Sequence, residues 1–452
     1  MIPNPMRRTV FLLVLPLLLL FAAVPRADAV DIERVVSPGG IEAWLVRDPK
    51  VPLLSMEFSF EGGSAADPTG KEGLANLLSS LLDEGAGPYD SEEFQRRLND
   101  NTISLGFDAR ADAFFGSLKT LTETRDEAVD LLRLALTEPR FEDEAVERMR
   151  SSVTSSIRRS LGDPDYVARR AFYDAAYPDH PYGRPTLGTL DTVPAIGAGD
   201  LREFVDRRFA KDNLTVGVSG DITAEELGPL LDRVFGALPE HAEPLKVEDR
   251  PPETGGRTLV AERPIAQSII LMGQPGVKRN DPDWFPALVM NYVLGGGGFG
   301  SRLMEEIREE RGLTYGVYSY LVPFRDTALV MAGGSTANAN AGQMVELMKE
   351  EWRRMREEGL SEAELADAKT YLTGSFPLQF TSTDAIAGIL LQVQRDDLGI
   401  DYLDRRNALI EAVTLEQVNA LARRLLAPDA LMTVVVGRPE GLGQAETLDR
   451  RS

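Results

Sequence analysis

Positions 76, 79 and 80 stand at i, i+3 and i+4, the spacing that a helix turns into one face, within Gly73-Leu74-Ala75-Asn76-Leu77-Leu78-Ser79-Ser80. The residue types then decide the chemistry. One amide and two hydroxyls exchange hydrogen bonds, but they are poor zinc ligands and none acts as a general base at neutral pH. A later helical stretch, Val153-Thr154-Ser155-Ser156-Ile157-Arg158-Arg159, again offers only hydroxyls, at Ser155 and Ser156. The chain holds two histidines, His180 and His241, and no cysteine, which excludes disulfides and thiolate metal sites. Asp83 and Glu84 are adjacent carboxylates. Helix neighbours point in different directions, so the pair reads as solvated rather than as a metal site.

A second group of chemically capable residues lies later. Leu294-Gly295-Gly296-Gly297-Gly298-Phe299-Gly300 satisfies a literal GxGxxG at 295, 297 and 300. An apolar helix from Trp284 to Val293 precedes it instead of a strand, and no phosphate-binding Lys follows, so a dinucleotide site does not fit. A loop with close backbone approach fits better. Beyond it stand Arg308 and Tyr315, seven positions apart. A guanidinium and a phenol are donors suited to a peptide carbonyl or a developing oxyanion.

The elements that must carry these residues follow from composition and period. The 452 residues, 43% hydrophobic and 27% charged, suit a folded protein of two domains. With 49 basic against 71 acidic residues the formal charge is −22, which argues against nucleic-acid binding. Arg7 and Arg8, the apolar run Val10 to Val24 and Ala27-Asp28-Ala29 have the layout of a cleavable secretory signal, giving a mature chain from Val30. A disulfide-free exported protein suits a bacterial periplasm, with no membrane attachment after cleavage.

Pro, Glu and Gly crowd the stretch from Leu238 to Gly256, which reads as a linker near the middle of the mature chain. On either side the pattern repeats. The stripe Leu201, Phe204, Val205, Phe209 and the strand 214–218 recur, 217 residues on, as Val418, Leu421, Ala422, Leu426 and the strand from Leu431 to Val435. Glycines 220 and 437 close them, and the strands at 53–60 and 268–272 each lead to an Asp-Pro pair, Asp67-Pro68 and Asp281-Pro282. The expected architecture is α+β: two homologous lobes, each a mainly antiparallel sheet with helices packed on one face. The expected layout is a signal peptide at 1–29, lobes at 30–237 and 258–438 around a linker at 238–257, and a polar tail at 439–452.

From about Val35 to Val436 the chain resembles the pitrilysin/insulinase family of metallopeptidases. Family members carry Gly-Leu-Ala-His-x-x-Glu-His where this chain has 73–80: two His as zinc ligands and a Glu as base. A third ligand, a Glu, follows on a helix roughly seventy-five residues further on. The resemblance therefore sets Asn76 and Ser80 at the two His positions, Ser79 at the Glu position and Ser155 or Ser156 at the third ligand. The segment Tyr177 to Gly183, with His180, is also similar, and there the family's histidine is structural.

The resemblance implies more for the second lobe. There the glycine-rich turn, with Gly296, Gly297, Gly298 and Phe299, faces a substrate chamber, and Arg308 and Tyr315 match a pair that contacts bound peptide. The chain resembles the inactive subunit of two-subunit bacterial members and of mitochondrial processing peptidase. The expectation is a subunit that binds no zinc itself. It would supply a chamber wall to a partner that holds zinc and His-x-x-Glu-His and cleaves peptide. Two further readings use the same residues: a stand-alone peptide-binding or chaperone-like protein working by strand addition, and an enzyme with a relocated site. Two histidines and no cysteine leave the latter little chemistry.

Overall fold

A computed structural model describes residues 31–448. The segment expected to be a secretory signal, with its expected cleavage after Ala29, lies outside the described residues. The first half builds strands β1 (Glu33–Val36), β2 (Glu42–Arg47), β3 (Leu53–Glu61), β4 (Ser104–Ala109), β5 (Ala113–Leu121) and β6 (Leu214–Gly220). Its helices are α1 (Leu74–Ser79), α2 (Ser91–Asp100), α3 (Arg125–Thr137), α4 (Asp143–Gly162), α5 (Pro164–Ala176), α6 (Ala198–Arg208) and α7 (Ala224–Phe235). The second half builds β7 (Thr258–Glu262), β8 (Gln267–Pro275), β9 (Val317–Pro323), β10 (Ala328–Ala337), β11 (Met432–Gly437) and β12 (Glu446–Thr447). With them come α8 (Trp284–Asn291), α9 (Ala341–Glu357), α10 (Glu362–Gly374), α11 (Thr383–Arg395), α12 (Tyr402–Glu411) and α13 (Leu415–Leu425). Among the described residues no helix is long and apolar enough to cross a membrane.

The strands form two six-stranded sheets, ordered β1-β2-β6-β3-β5-β4 and β12-β7-β11-β8-β10-β9. From the second strand inward the two orders correspond. In each, one central pair is parallel (β2 with β6, β7 with β11) and the strands beyond it are antiparallel. Glu446–Thr447, inside the stretch read as a polar tail, pair in parallel with β7, so the second sheet runs past residue 438.

Alternation on β3 shows how each sheet is covered. Leu54, Met56, Phe58 and Phe60 are fully buried in the core that the first half's own helices close. Ser55, Glu57 and Ser59 point to the opposite face, and that face takes one helix from the other half: α11. Thr383 and Ser55 share a hydroxyl hydrogen bond of 2.7 Å, Lys119 pairs with Asp384 at 2.6 Å, and Gln394 donates to the Val216 carbonyl at 2.9 Å. The exchange is reciprocal. Helix α5 of the first half lies on β8 and β11, where Val167, Ala168, Ala171 and Phe172 join Leu271, Met331, Val434 and Val436 in one buried cluster. Both contacts need a bare strand. A Cβ on Gly217 would sit 2.4 Å from the Ala387 carbonyl, and one on Gly273 would sit 2.5 Å from the Phe172 ring.

The linker is irregular but held down. Arg208 and Arg250 donate to the Glu243 and Pro178 carbonyls, His180 Nε2 donates to the Glu248 carbonyl at 2.9 Å, and the Glu253 amide donates to Ala176. His180 is thus spent on structure, its Nδ1 accepting from the Tyr182 amide.

Candidate functional site

The 73–80 motif begins at a helix start. Gly73 (φ 93°) is the N-cap of α1, and the buried Asp67 carboxylate reaches over it. The Gly73 and Ala75 amides donate to that carboxylate at 2.8 and 2.9 Å, which satisfies N-terminal donors that a helix leaves open. Burial, opposed by these amides, pushes the Asp67 carboxyl up to about 7. Leu74, Ala75, Leu77 and Leu78 fill the core, leaving Asn76, Ser79 and Ser80 half-buried on the remaining face. Both serine hydroxyls turn back on their own helix, donating to the Asn76 carbonyl at 2.8 and 3.3 Å. Helix α1 packs against α4, the helix that carries Ser155 and Ser156. Ser155 is exposed, and Ser156 Oγ accepts from Arg159 at 2.8 Å.

Among the described residues no three His, Asp or Glu side chains converge on a point where a metal could sit. Asp83 is held by Gln95 at 3.1 Å, with its carboxyl raised by burial. Glu84 accepts from Arg148 at 2.5 Å and from Ser91. Each carboxylate is partnered separately, and the two share no ligand. His241 is exposed on the linker beside Asp212, 3.1 Å away.

In the second half α8 does not end cleanly. It widens into a π turn over Tyr292–Gly296, passes through a tight turn at Gly298–Gly300 and re-forms as a second π turn over Met304–Glu309. Such widened turns are rare and concentrate at functional sites. Gly295 is required by packing, because a Cβ there would lie 2.5 Å from the Ser319 amide. Phe299 stands out at 70% exposure, and the Arg308 guanidinium covers its ring at 4.5 Å while pairing with Glu309 at 2.8 Å. Tyr315 is 90% exposed. Its neighbours are fixed: Thr314 donates to the Ser335 carbonyl at 2.7 Å and Thr336 to the Leu313 carbonyl at 2.6 Å. The phenol is thus presented on an anchored turn. The structure joins Arg308 to Phe299, a contact that the spacing of 308 and 315 does not suggest.

A third concentration of polar groups was not visible in the sequence. The β4–β5 turn meets the β9–β10 turn, and Tyr182 ties them, donating to Asp112 at 2.5 Å and lying 3.3 Å from Asp326. Asp112 also accepts the Arg325 amide at 3.0 Å. These residues are far apart in the chain, and only the reuse of one topology in both sheets could have suggested that the two turns meet.

Known proteins share this arrangement. The profile described as "Insulinase (Peptidase family M16)" matches residues 44–190, and "Peptidase M16 inactive domain" matches residues 195–372. A "Non-peptidase homolog YmxG" of Helicobacter pylori is 29% identical over 335 residues, covering 73% of this chain and 76% of that protein. An "Uncharacterized zinc protease YmxG" of Bacillus subtilis is 24% identical over 416 residues, covering 89% and 98%. The crystal structure of a peptidase M16 inactive domain from Pseudomonas fluorescens superposes with a TM-score of 0.85 at 26% identity, covering 92% of this chain and all of that one. With two sheets of one strand order and family matches across both halves, the chain belongs to the insulinase-type peptidase family M16.

Proposed function

We propose that this chain is the non-catalytic subunit of a heterodimeric zinc peptidase, exported to the periplasm. It would form one wall of a peptide-binding chamber whose zinc and His-x-x-Glu-His motif belong to a homologous partner. One observation carries the reading. The helix faces at the ligand positions hold Asn76, Ser79, Ser80 and Ser156, while the second half keeps an exposed glycine-rich turn on which Arg308 covers Phe299, and presents Tyr315 on an anchored turn of its own. The relative named a non-peptidase homologue and the profile named an inactive domain support the same reading.

The test is reconstitution with a homologue from the same organism that carries an intact His-x-x-Glu-His motif. Arg308→Ala and Tyr315→Phe should leave the complex intact by gel filtration and slow peptide cleavage on the order of a hundredfold, the loss typical of a transition-state donor. Arg311→Ala should change little, since Arg311 is occupied by Glu306 at 2.8 Å. If no catalytic homologue binds, the stand-alone peptide-binding reading replaces this one, with the edge strands β4 and β9 as the surfaces to examine.

A further inference from the structure

A cavity of about 620 Å³ lies where the two hairpin turns meet the C-terminal end of α11. Five basic side chains line it, Arg110, Lys278, Arg279, Arg325 and Arg395, together with the carboxylates of Glu61, Asp112, Asp396 and Asp397. Four have a carboxylate within ion-pair distance: Asp108, Asp249, Asp396 and Glu61 respectively. Arg395 has none among the described residues, and its guanidinium makes no hydrogen bond there. The nearby carboxylates are engaged elsewhere, Asp396 by Gln392 and Arg279, and Asp112 by Tyr182 and the Arg325 amide. Arg395 and Arg110 instead both lie over one ring, each 4.7 Å from the centroid of Phe115. Two like charges are thus brought together; Asp396, Asp112 and Glu61 are near enough to act on Arg395, but none of the three pairs with either guanidinium.

We propose that this cavity is an oxyanion site, in which Arg395 and Arg110 clamp a carboxylate or phosphate group of a small ligand beside Phe115. Planar guanidinium forks match such groups in paired hydrogen bonds, and the ring holds both forks in place. Burial lowers the Arg395 pKa, as expected of a cation whose compensation is incomplete. The volume suits a small ligand, and Pro323 and Phe324 give it an apolar wall. A ligand here would touch β5 and the turn before it together with α11, so it would tie the exchanged helix to the sheet that it covers.

Thermal unfolding and calorimetry of the full chain provide the test, using sodium phosphate against sodium chloride at matched ionic strength. A parallel arm uses an N-acetylated dipeptide with a free or an amidated C-terminus. At least one oxyanion probe should stabilise the chain beyond chloride. The phosphate arm alone would identify a phosphate-type ligand, and a difference between free acid and amide would identify a peptide carboxylate. Arg395→Gln should weaken that binding at least tenfold without lowering the ligand-free Tm, because it removes an unpaired charge. A merely structural arginine would lower the Tm. Should Arg395→Gln fail to fold, Arg110→Gln on the exposed turn carries the same binding test. The proposal is overturned if no oxyanion acts beyond chloride, if the folded variants bind as the parent does, or if Arg395→Gln folds with a lowered Tm.

Discussion

Glu57 gives the sharpest stability prediction. It lies on β3 facing α11, and burial, with the Asp384 charge adding to it, pushes its carboxyl up to about 7 from 4.5. Because the folded value is the higher one, the folded state holds the proton more tightly than the unfolded chain. Stability from this group is complete below pH 4.5, falls as pH rises from 4.5 to 7 and stays low above. The rise from 4.5 to about 7 corresponds to roughly 3 kcal/mol. Glu57 keeps some contact with solvent, so screening reduces this to about 2 kcal/mol. Glu57→Gln should therefore stabilise the chain by that amount at pH 8 and by almost nothing at pH 4.5. Urea-unfolding midpoints of parent and variant across that range measure it. A difference that stays constant between pH 5 and pH 8 would refute the reasoning, since only a perturbed carboxyl produces the pH dependence.

Further outcomes are expected. The purified chain should contain no stoichiometric zinc and cleave no peptide alone; metal analysis finding about one tightly bound zinc per chain would contradict the reading of Asn76, Ser79, Ser80 and Ser156. N-terminal sequencing of the native protein should begin at Val30, and retention of Met1 or of the apolar run would overturn the cleavable-signal reading. Phe172→Ala, which empties a fully buried ring site against Gly273, should cost about 3–5 kcal/mol in denaturant unfolding. Asp67→Ala should cost about 1–2 kcal/mol, because it uncaps α1 and strands the Gly73 and Ala75 amides.

The sequence carries what depends on residue type at fixed spacing. Strands β3 and β6 are legible from the alternation of their residue types, β11 from its recurrence 217 residues after β6, and the replaced ligand positions because they are substitutions within one short motif. Helix α8 shows in the apolar run from Trp284, but the two wide turns after it do not, since a change of hydrogen-bond step leaves no mark in residue type. The apolar faces of α5 and α11 announce that they are buried and say nothing about which sheet buries them. The stacking of Arg395 on Phe115 and the hold of Tyr182 on Asp112 join residues hundreds or tens of positions apart, beyond the reach of any local pattern.

The exchanged helices also set a timetable. When α5 leaves the ribosome, the strand it covers, β11, is the last long strand of the chain and has not been made. The first sheet likewise waits for α11 before its outer face is closed. Neither half can finish alone, so the entropy of a very long closed loop must be overcome before either outer face is rewarded. Until synthesis is nearly over, the nascent chain stays open and exposes apolar helix faces. That condition invites chaperone binding, and it is also the one in which a polypeptide can still be threaded through a secretion channel.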